Sequence, residues 1–376
     1  MELIKKERIV MDEMKQILFE KEQTGINMSF VLYIPKDINN DSTLILNGIT
    51  PDIGTKEQDK KDEKESTHLY GTYLDSYKEA LQIANKAYFS PDYKRLSINY
   101  NNPMLIPIIP RCMALYTGYL GYDVYHENYD RAIKAYEEGW SRFSEEDLHK
   151  FDNLDEQIAN MIYYSIDYIN ENYNLNMDYK VIATGYSASA KMVNFFAALH
   201  PELIKMVIAG GTTGLTIIPT KEYDYPLGFK DLPDENLELF KQIPQFYYIG
   251  KEDQNDSSRP HFEAKTDGKG NFIKDEVTHN VIPEIENGKI KFIKKNGEYI
   301  LPDGGYFSLE QTHIIHDKFS SDVQERFDLN EKKYAEEKVN AIFKKYNGNH
   351  KIQDDRLKND ILDFYESNIK EKDLIL

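Results

Sequence analysis

The serine at position 187 lies in the run GYSASA, between a short apolar segment and an amphipathic one. Residues 179–184 are rich in β-branched side chains and are followed by Gly185, which predicts a buried strand. From Lys191 onward apolar residues recur at helical spacing, which predicts a helix. A sharp strand-to-helix turn strains its apex, requires small neighbours and sets the hydroxyl beside the first amides of a helix, where negative charge is favoured. The pattern predicts that Ser187 is a nucleophile, although small-residue turns also occur for packing alone.

A serine nucleophile needs a general base, usually histidine, and a carboxylate that orients this histidine. In sheets with a nucleophile at such a turn, the chain order is serine, acid, histidine, and the acid follows a late strand. The segment IPQFYYIGKEDQND fits this order, because a predicted strand ends at Gly250 and Asp253 follows it. Asp256 is the alternative acid. An aspartate at such a position is also typical of a turn cap.

Nine histidines compete for the role of the base. Several precede the predicted acid, and His316 lies in QTHIIHDKF, which follows no clear strand. His350 follows a predicted strand that ends at Lys344 and precedes a helix predicted to begin at Asp354 or Asp355. Because it lies on the loop after the last strand, we favour His350 as the base and keep His316 as the alternative.

Strand and helix patterns alternate on both sides of Ser187, which predicts an α/β fold with a mostly parallel central sheet flanked by helices. Charged and apolar residues are mixed over residues 1–29, which predicts an N-terminal helical extension. The other segments expected to be extended are residues 30–38, 42–50, 95–110, 204–211 and 243–250.

One segment, residues 261–309, interrupts this alternation between the acid and the histidine. Asn287-Gly288 and Asn296-Gly297, with alternating residues around them, are typical of β-hairpins. We therefore expect a hairpin insertion, acting as a lid or an arm, within a core formed by residues 30–260 and 310–376. Such an arm would cover the site or join two copies of the chain in a homo-oligomer.

Composition excludes some classes of partner. Lys and Arg total 46 against 64 for Asp and Glu, a formal net charge of -18, so nucleic acid and anionic membrane surfaces are not expected partners. The N-terminus lacks the apolar core of a signal peptide, and one cysteine leaves no internal disulfide, which fits a cytoplasmic protein. No metal-ligand or phosphate-loop motif is present in the sequence, so neither a metal nor a cofactor is expected.

The segments FVLYIPKDI, LNGIT, IPIIPR, GYSASAKMVNFFAALHP, IPQFYYIGKEDQND and YNGNHKI follow one another in an order that resembles the α/β-hydrolase superfamily. The resemblance is nearest to polyhydroxybutyrate-depolymerase-like proteins and related esterases, and it runs from residue 30 to the C-terminus. It implies an ester hydrolase acting on a small-molecule ester through an acyl-enzyme intermediate. Ser187 would be the nucleophile, Asp253 the acid and His350 the base.

The resemblance also implies an oxyanion hole and a departure from the family pattern. The hole would be formed by the backbone amide of Ala188 and by that of Gly48 or Ile49. Ser189 and Ala190 stand where glycines are usual in the family. This departure would tilt the helix or narrow the pocket.

A second function fits the same sequence: a catalytically silent α/β-hydrolase-like protein that binds a ligand or partner through the same pocket. The two functions differ in one geometric requirement. In a working enzyme, Ser187 and His350 lie within hydrogen-bond reach of each other.

Overall fold

The computed structural model describes the larger part of the chain, and every structural statement below refers to this part. The described residues are 6–10, 14–48, 73–87, 91–110, 143–256, 262–271, 273, 282, 284–287, 289–295, 298–299, 307 and 309–369. Nine strands form the main sheet: β1 (Lys6–Val10), β2 (Met14–Phe19), β3 (Phe30–Pro35), β4 (Ile45–Gly48), β5 (Met104–Pro107), β6 (Val181–Tyr186), β7 (Ile204–Gly210), β8 (Gln245–Gly250) and β13 (Ala341–Tyr346). Four shorter strands lie between β8 and β13: β9 (Ile285–Glu286), β10 (Lys289–Ile290), β11 (Lys294–Lys295) and β12 (Glu298–Tyr299).

The strand order of the main sheet is β1-β2-β3-β5-β4-β6-β7-β8-β13. All pairs from β5 to β13 are parallel, whereas β1, β2 and β3 are antiparallel to their neighbours. In this sheet β5 lies between β3 and β4, so the spatial order of β4 and β5 is the reverse of their order in the chain, and β3 is antiparallel to β5. A parallel sheet with these two features is the α/β-hydrolase arrangement. The expected fold class is therefore confirmed.

The helices cover both faces of the sheet. They are α1 (Lys21–Thr24), α2 (Tyr73–Ala87), α3 (Pro91–Tyr100), α4 (Glu145–Leu148), α5 (Leu154–Tyr173), α6 (Ala188–Leu199), α7 (Asp234–Gln242), α8 (Leu309–Lys318), α9 (Val323–Glu336) and α10 (Arg356–Ile369). One apolar core lies between the sheet and α5, α6, α7 and α9, and the other lies between the sheet and α2, α3 and α10. The central strands are buried on both faces, which explains their nearly continuous apolar sequence. Within the described residues, no helix is both long and apolar enough to cross a bilayer.

The helix expected over residues 1–29 is wrong, because this region forms β1 and β2, and its helix, α1, is only four residues long. Met14, Ile17 and Leu18 have the i, i+3, i+4 spacing of a helix face, so the apolar pattern of this segment suits a helix as well as a strand. In the structure β2 pairs with β3, so that Ile17 packs in one core while Met14 and Leu18 pack in the other. Residues 95–100 were likewise expected to be extended and instead belong to α3.

Between β8 and α8, the described residues include two pairs of short antiparallel strands in the segment where hairpins are expected. Strand β9 pairs with β10 and β11 pairs with β12, both antiparallel, whereas Gly288, Asn296 and Gly297 lie outside the described residues. Asn287 has φ 53, the left-handed conformation that a two-residue hairpin turn requires. An isolated bridge between Phe262 and Phe292 joins the beginning of the segment to the hairpin region. The role of this segment as a lid or arm stays a prediction.

Candidate active site

The turn between β6 and α6 has the strained backbone that the sequence predicts. Ser187 has φ 60 and ψ -123, a conformation that non-glycine residues rarely adopt. Its N–H donates to the carbonyl oxygen of Gly210 at 2.8 Å, which ties the turn to the neighbouring strand β7. The serine thus stands at the end of the sheet, directly before the first residue of α6.

Two glycines allow α6 to pack closely against the strands. A methyl group at Gly185 would lie 2.4 Å from the backbone oxygen of Ser189, so no larger residue fits there without a backbone shift. A methyl group at Gly48, the last residue of β4, would lie 2.7 Å from Cε of Met192 and 3.2 Å from Cβ of Ser189. The sharpness of the turn therefore depends on the absence of both side chains.

Ser189 replaces the glycine expected at its position, and its side chain has a structural partner. Its hydroxyl accepts a hydrogen bond from the N–H of Tyr186 at 2.8 Å and donates to the carbonyl oxygen of Tyr186 at 2.7 Å. These bonds satisfy backbone groups at the end of β6, where the strand pairing stops. The hydroxyl thus reinforces the turn at which Ser187 stands.

Ser187, His350 and Asp253 form a continuous hydrogen-bonded chain. Nε2 of His350 lies 3.0 Å from Oγ of Ser187, and Nδ1 lies 2.9 Å from Oδ2 of Asp253. Because a carboxylate only accepts hydrogen bonds, Nδ1 carries the imidazole proton and Nε2 is left to accept from the serine hydroxyl. This arrangement can remove the proton from Ser187 when its oxygen attacks an electrophile.

The acid is held rigidly at the end of β8. The side chain of Asp253 is 1% exposed, and its Oδ1 accepts a hydrogen bond from the N–H of Asn255 at 2.9 Å. Nε2 of Gln324, on α9, donates to the carbonyl oxygens of Gly250 and Asp253, each at 2.8 Å. Hydrogen bonds to the side chain and to the backbone of Asp253 therefore both fix the position of its carboxylate.

The loop that carries His350 lies between β13 and α10 and packs against the end of β8. A methyl group at Gly250 would lie 2.2 Å from the backbone oxygen of Asn349, so the glycine permits this approach. The N–H of Glu252 donates to the carbonyl oxygen of Gly348 at 3.0 Å. Neighbouring parallel strands thus deliver the acid and the histidine to the same edge of the sheet.

Neither alternative residue is brought to Ser187. Asp256 forms a buried ion pair with Nη1 of Arg326 at 2.8 Å, with side chains 0% and 1% exposed. Nδ1 of His316, on α8, lies 3.1 Å from the hydroxyl of Ser321, and its imidazole packs against the ring of Phe292. Among the described residues, Asp253 and His350 thus share a hydrogen-bonded chain with Ser187, whereas Asp256 and His316 have the other partners named above.

The residues predicted for the oxyanion hole are only partly described. Ala188 is the first residue of α6, where a backbone N–H has no carbonyl partner within the helix. Gly48 ends β4 and pairs with Gly185 of β6, so its backbone lies beside the strand that leads to Ser187. Ile49 lies outside the described residues. An amide at the start of a helix favours negative charge on a neighbouring atom.

A buried lysine beside this site escaped the sequence interpretation. Lys191, in the first turns of α6, is 1% exposed, and its Nζ donates to the carbonyl oxygen of Leu215. Burial, together with the charge of Arg326, lowers the pKa of Lys191 to about 7, against the opposing effect of Asp256. The feature of the sequence that could have indicated a buried lysine is its position on a helix whose other residues are nearly all apolar.

At the opposite end of α6, Asp155, Glu156 and His200 have potential metal-ligand atoms within 4.8 Å of one another. Nε2 of His200 lies 3.3 Å from Oδ2 of Asp155, and Nδ1 lies 3.5 Å from Oε1 of Glu202. A histidine with a carboxylate at each ring nitrogen is arranged as a protonated ion-pair partner, whereas a metal ligand must present a lone pair. The 12 residues of α6 separate this cluster from Ser187 by about 18 Å.

Known proteins resemble this chain in structure at low identity. No protein-family model matches the chain, and no curated protein matches its sequence. A poly(3-hydroxybutyrate) depolymerase, LpqC from Bordetella parapertussis, is 9% identical, with 93% of each chain covered and a TM-score of 0.40. An S-formylglutathione hydrolase from Agrobacterium tumefaciens is 10% identical, with 97% of each chain covered and a TM-score of 0.37. An acetyl xylan esterase from Aspergillus awamori is 13% identical, with 63% of this chain and 73% of the other covered and a TM-score of 0.32. Likeness at these values adds nothing to a functional assignment, which depends on the geometry of the site.

Proposed function

We propose that this protein is a serine hydrolase that cleaves a carboxylic ester through an acyl-enzyme intermediate. The observation that carries the proposal is the hydrogen-bonded chain from Ser187 through His350 to Asp253, which begins at a strained strand-to-helix turn. A serine used only for packing would need neither the imidazole nor the buried carboxylate behind it. Together, the three groups provide a nucleophile, a general base and an orienting anion.

The reaction would proceed in two steps. His350 takes the proton of Ser187 as Oγ attacks the ester carbonyl, and Asp253 stabilises the imidazolium that forms. The amide of Ala188 and that of Gly48 or Ile49 would stabilise the oxyanion. The tetrahedral intermediate then collapses, the carbon–oxygen bond to the alcohol breaks, and the leaving oxygen takes the proton from His350. Water, activated by His350 in the same way, releases the acid and regenerates the serine.

Labelling with a fluorophosphonate tests the nucleophile directly. Wild-type protein should be labelled and should hydrolyse a p-nitrophenyl ester, whereas Ser187→Ala should do neither, because no other described serine is paired with a histidine and a buried acid in this way. Trypsin would release residues 181–191 as one peptide containing both Ser187 and Ser189, so fragmentation must place the label on the first of them.

A matched control is Ser165→Ala, which removes another buried hydroxyl, on α5, without touching the site. This variant should be labelled at the wild-type rate. Thermal unfolding should show that Ser187→Ala remains folded. Undiminished labelling of Ser187→Ala would overturn the assignment, and a folded wild-type protein that neither labels nor turns over any ester would favour the binding function instead.

A further inference from the structure

Tyr186 immediately precedes the proposed nucleophile, and the reaction described above does not use its side chain. Its hydroxyl donates a hydrogen bond to the backbone carbonyl oxygen of His350. Its ring also packs against the imidazole, with 5.3 Å between the ring centroids and an interplanar angle of 44°. The residue beside Ser187 therefore contacts the proposed base through both its hydroxyl and its ring.

The backbone hydrogen bonds that close the loop are formed by residues around His350 and not by the backbone of His350. The N–H of Lys251 donates to the carbonyl oxygen of Tyr346 at 2.7 Å, and the N–H of Gln353 donates to that of Asn347 at 3.2 Å. Gly348 and Ile352 form an isolated bridge across the loop. These contacts close the loop, while the bond from Tyr186 acts on the backbone of the histidine.

Gly211, the residue after β7, leaves space for the packing of Tyr186 against His350. Gly211 has φ 65, and a methyl group there would lie 3.0 Å from Cζ of Tyr186 and 3.1 Å from Cε1 of His350. A side chain at this position would press on both rings at once. The glycine therefore leaves room for both rings, and its positive φ also favours glycine at this position.

We propose that Tyr186 is a positioning residue that holds His350 at hydrogen-bonding distance from Ser187. This inference rests on the proposed hydrolase function. Tyr186 is covalently joined to Ser187, so its hydroxyl ties the backbone of the base to that of the nucleophile. Proton transfer depends steeply on this distance, since a displacement of about 1 Å can reduce the rate of an enzyme on the order of 100-fold.

The test is Tyr186→Phe, which removes the hydroxyl and keeps the ring. The kcat for a p-nitrophenyl ester should fall roughly 10- to 100-fold, while KM stays within about twofold of the wild type because the tyrosine acts on the base and not on the substrate. The rate of fluorophosphonate labelling should fall by the same factor as kcat, because both reactions need the same base. Tyr186→Leu, which also removes the ring, should lower both kcat and the labelling rate further than Tyr186→Phe does.

Tyr346→Phe is the matched control. The hydroxyl of Tyr346 donates to Oδ2 of Asp360 at 2.6 Å, at the end of the strand that leads into the same loop, but it contacts none of the three reacting residues. This variant loses one tyrosine hydrogen bond of the same kind and should keep its kcat within about twofold of the wild type. A purely structural role for Tyr186 predicts that both variants behave alike.

Crystal structures of the two variants provide a readout that does not depend on turnover. In Tyr186→Phe the separation of Ser187 Oγ from His350 Nε2 should exceed hydrogen-bonding distance or split into two conformations, whereas in Tyr346→Phe it should stay near 3.0 Å. An unchanged distance together with an unchanged kcat would overturn the role of Tyr186 while the hydrolase proposal stands. If wild-type protein shows no activity at all, the hydrolase proposal fails, and the crystallographic distance alone decides whether Tyr186 holds the histidine.

Discussion

Replacing Asp253 with asparagine removes one charge and almost no volume, so its effect can be worked out atom by atom. Oδ2 of Asp253 accepts from Nδ1 of His350, and Oδ1 accepts from the N–H of Asn255, each at 2.9 Å. An asparagine side chain has only one oxygen for these two donors. If that oxygen keeps the bond to Asn255, the NH₂ group faces Nδ1 and requires a lone pair there. The imidazole proton then moves to Nε2, which can no longer accept from Ser187.

The opposite orientation of the amide is also unfavourable. The NH₂ group would face the N–H of Asn255, and two donors would oppose each other in a site where the side chain is 1% exposed. Leaving a buried donor unsatisfied costs about 1 to 3 kcal/mol, so the first orientation, with the wrong tautomer, should prevail. In serine proteases the corresponding substitution lowers kcat about 10⁴-fold, equivalent to about 5.5 kcal/mol. We expect a loss of the same order here with little change in KM, because Asp253 is too deeply buried to touch a substrate.

The assay is the initial rate of p-nitrophenyl ester hydrolysis, with the Ser187→Ala protein as the background. Asp256→Asn is the matched comparison, because Asp256 pairs with Arg326 and does not contact His350. Breaking this buried pair should lower the free energy of unfolding by about 3 to 5 kcal/mol while kcat stays within about tenfold of the wild type. The reasoning would be refuted if Asp253→Asn kept more than about a tenth of the wild-type kcat, or if Asp256→Asn had the larger effect on kcat.

Two further predictions concern stability and access to the site. Burial alone would lower the pKa of His200, but the hydrogen bond and charge of Asp155, with the charge of Glu202, raise it above the ordinary 6.5. Its stabilising effect should therefore be complete below pH 6.5 and be lost as the pH rises through the folded-state pKa. Denaturant unfolding should show this decline in wild-type protein and a flatter profile in His200→Asn, and parallel profiles would contradict it. Replacing residues 261–309 with a short Gly-Ser link should leave Ser187 reactive to a fluorophosphonate but change either the preference between short and bulky esters or the mass in solution. If both stay the same, the segment is not a lid or arm, and if the shortened protein cannot fold, the segment belongs to the core.

The sequence interpretation worked where local constraints decide the structure. A β-branched run, one required glycine and an apolar helix face define the turn at Ser187 within about 20 residues, so the turn could be recognised without knowing the rest of the fold. Asp253 and His350 are 97 residues apart in the chain, yet each follows a strand whose pattern is recognisable in the sequence. In a parallel sheet the loops after neighbouring strands meet at one edge, which turns a position in sequence into a position in space.

The interpretation failed where the outcome depends on what a segment packs against. The spacing of apolar residues in β2 suits a helix as well as a strand, and pairing with β3, which periodicity does not reveal, decides between them. The buried cluster of Lys191, Asp256 and Arg326 joins residues from α6, from the loop after β8 and from α9, so it depends on contacts between segments that are distant in sequence. The hydrogen bond from Tyr186 to His350 cannot be predicted from the sequence either, because it depends on how the end of β6 and the loop after β13 lie relative to each other.

The serine at position 189 shows how a departure from a family pattern can be understood once the facing strand is known. A glycine is usual at this position because a side chain there would crowd the strand beside it. In this chain Ser189 faces Gly48, and a methyl group on Gly48 would lie 3.2 Å from Cβ of Ser189. A glycine at position 189 would leave space on the helix. Here the space is on the strand instead, because Gly48 at the end of β4 has no side chain. The added hydroxyl then binds both backbone groups of Tyr186, the residue that contacts His350. Ser189 and Gly48 therefore form a complementary pair, and α6 keeps its close packing because glycines stand on the two strands that it contacts, Gly48 on β4 and Gly185 on β6.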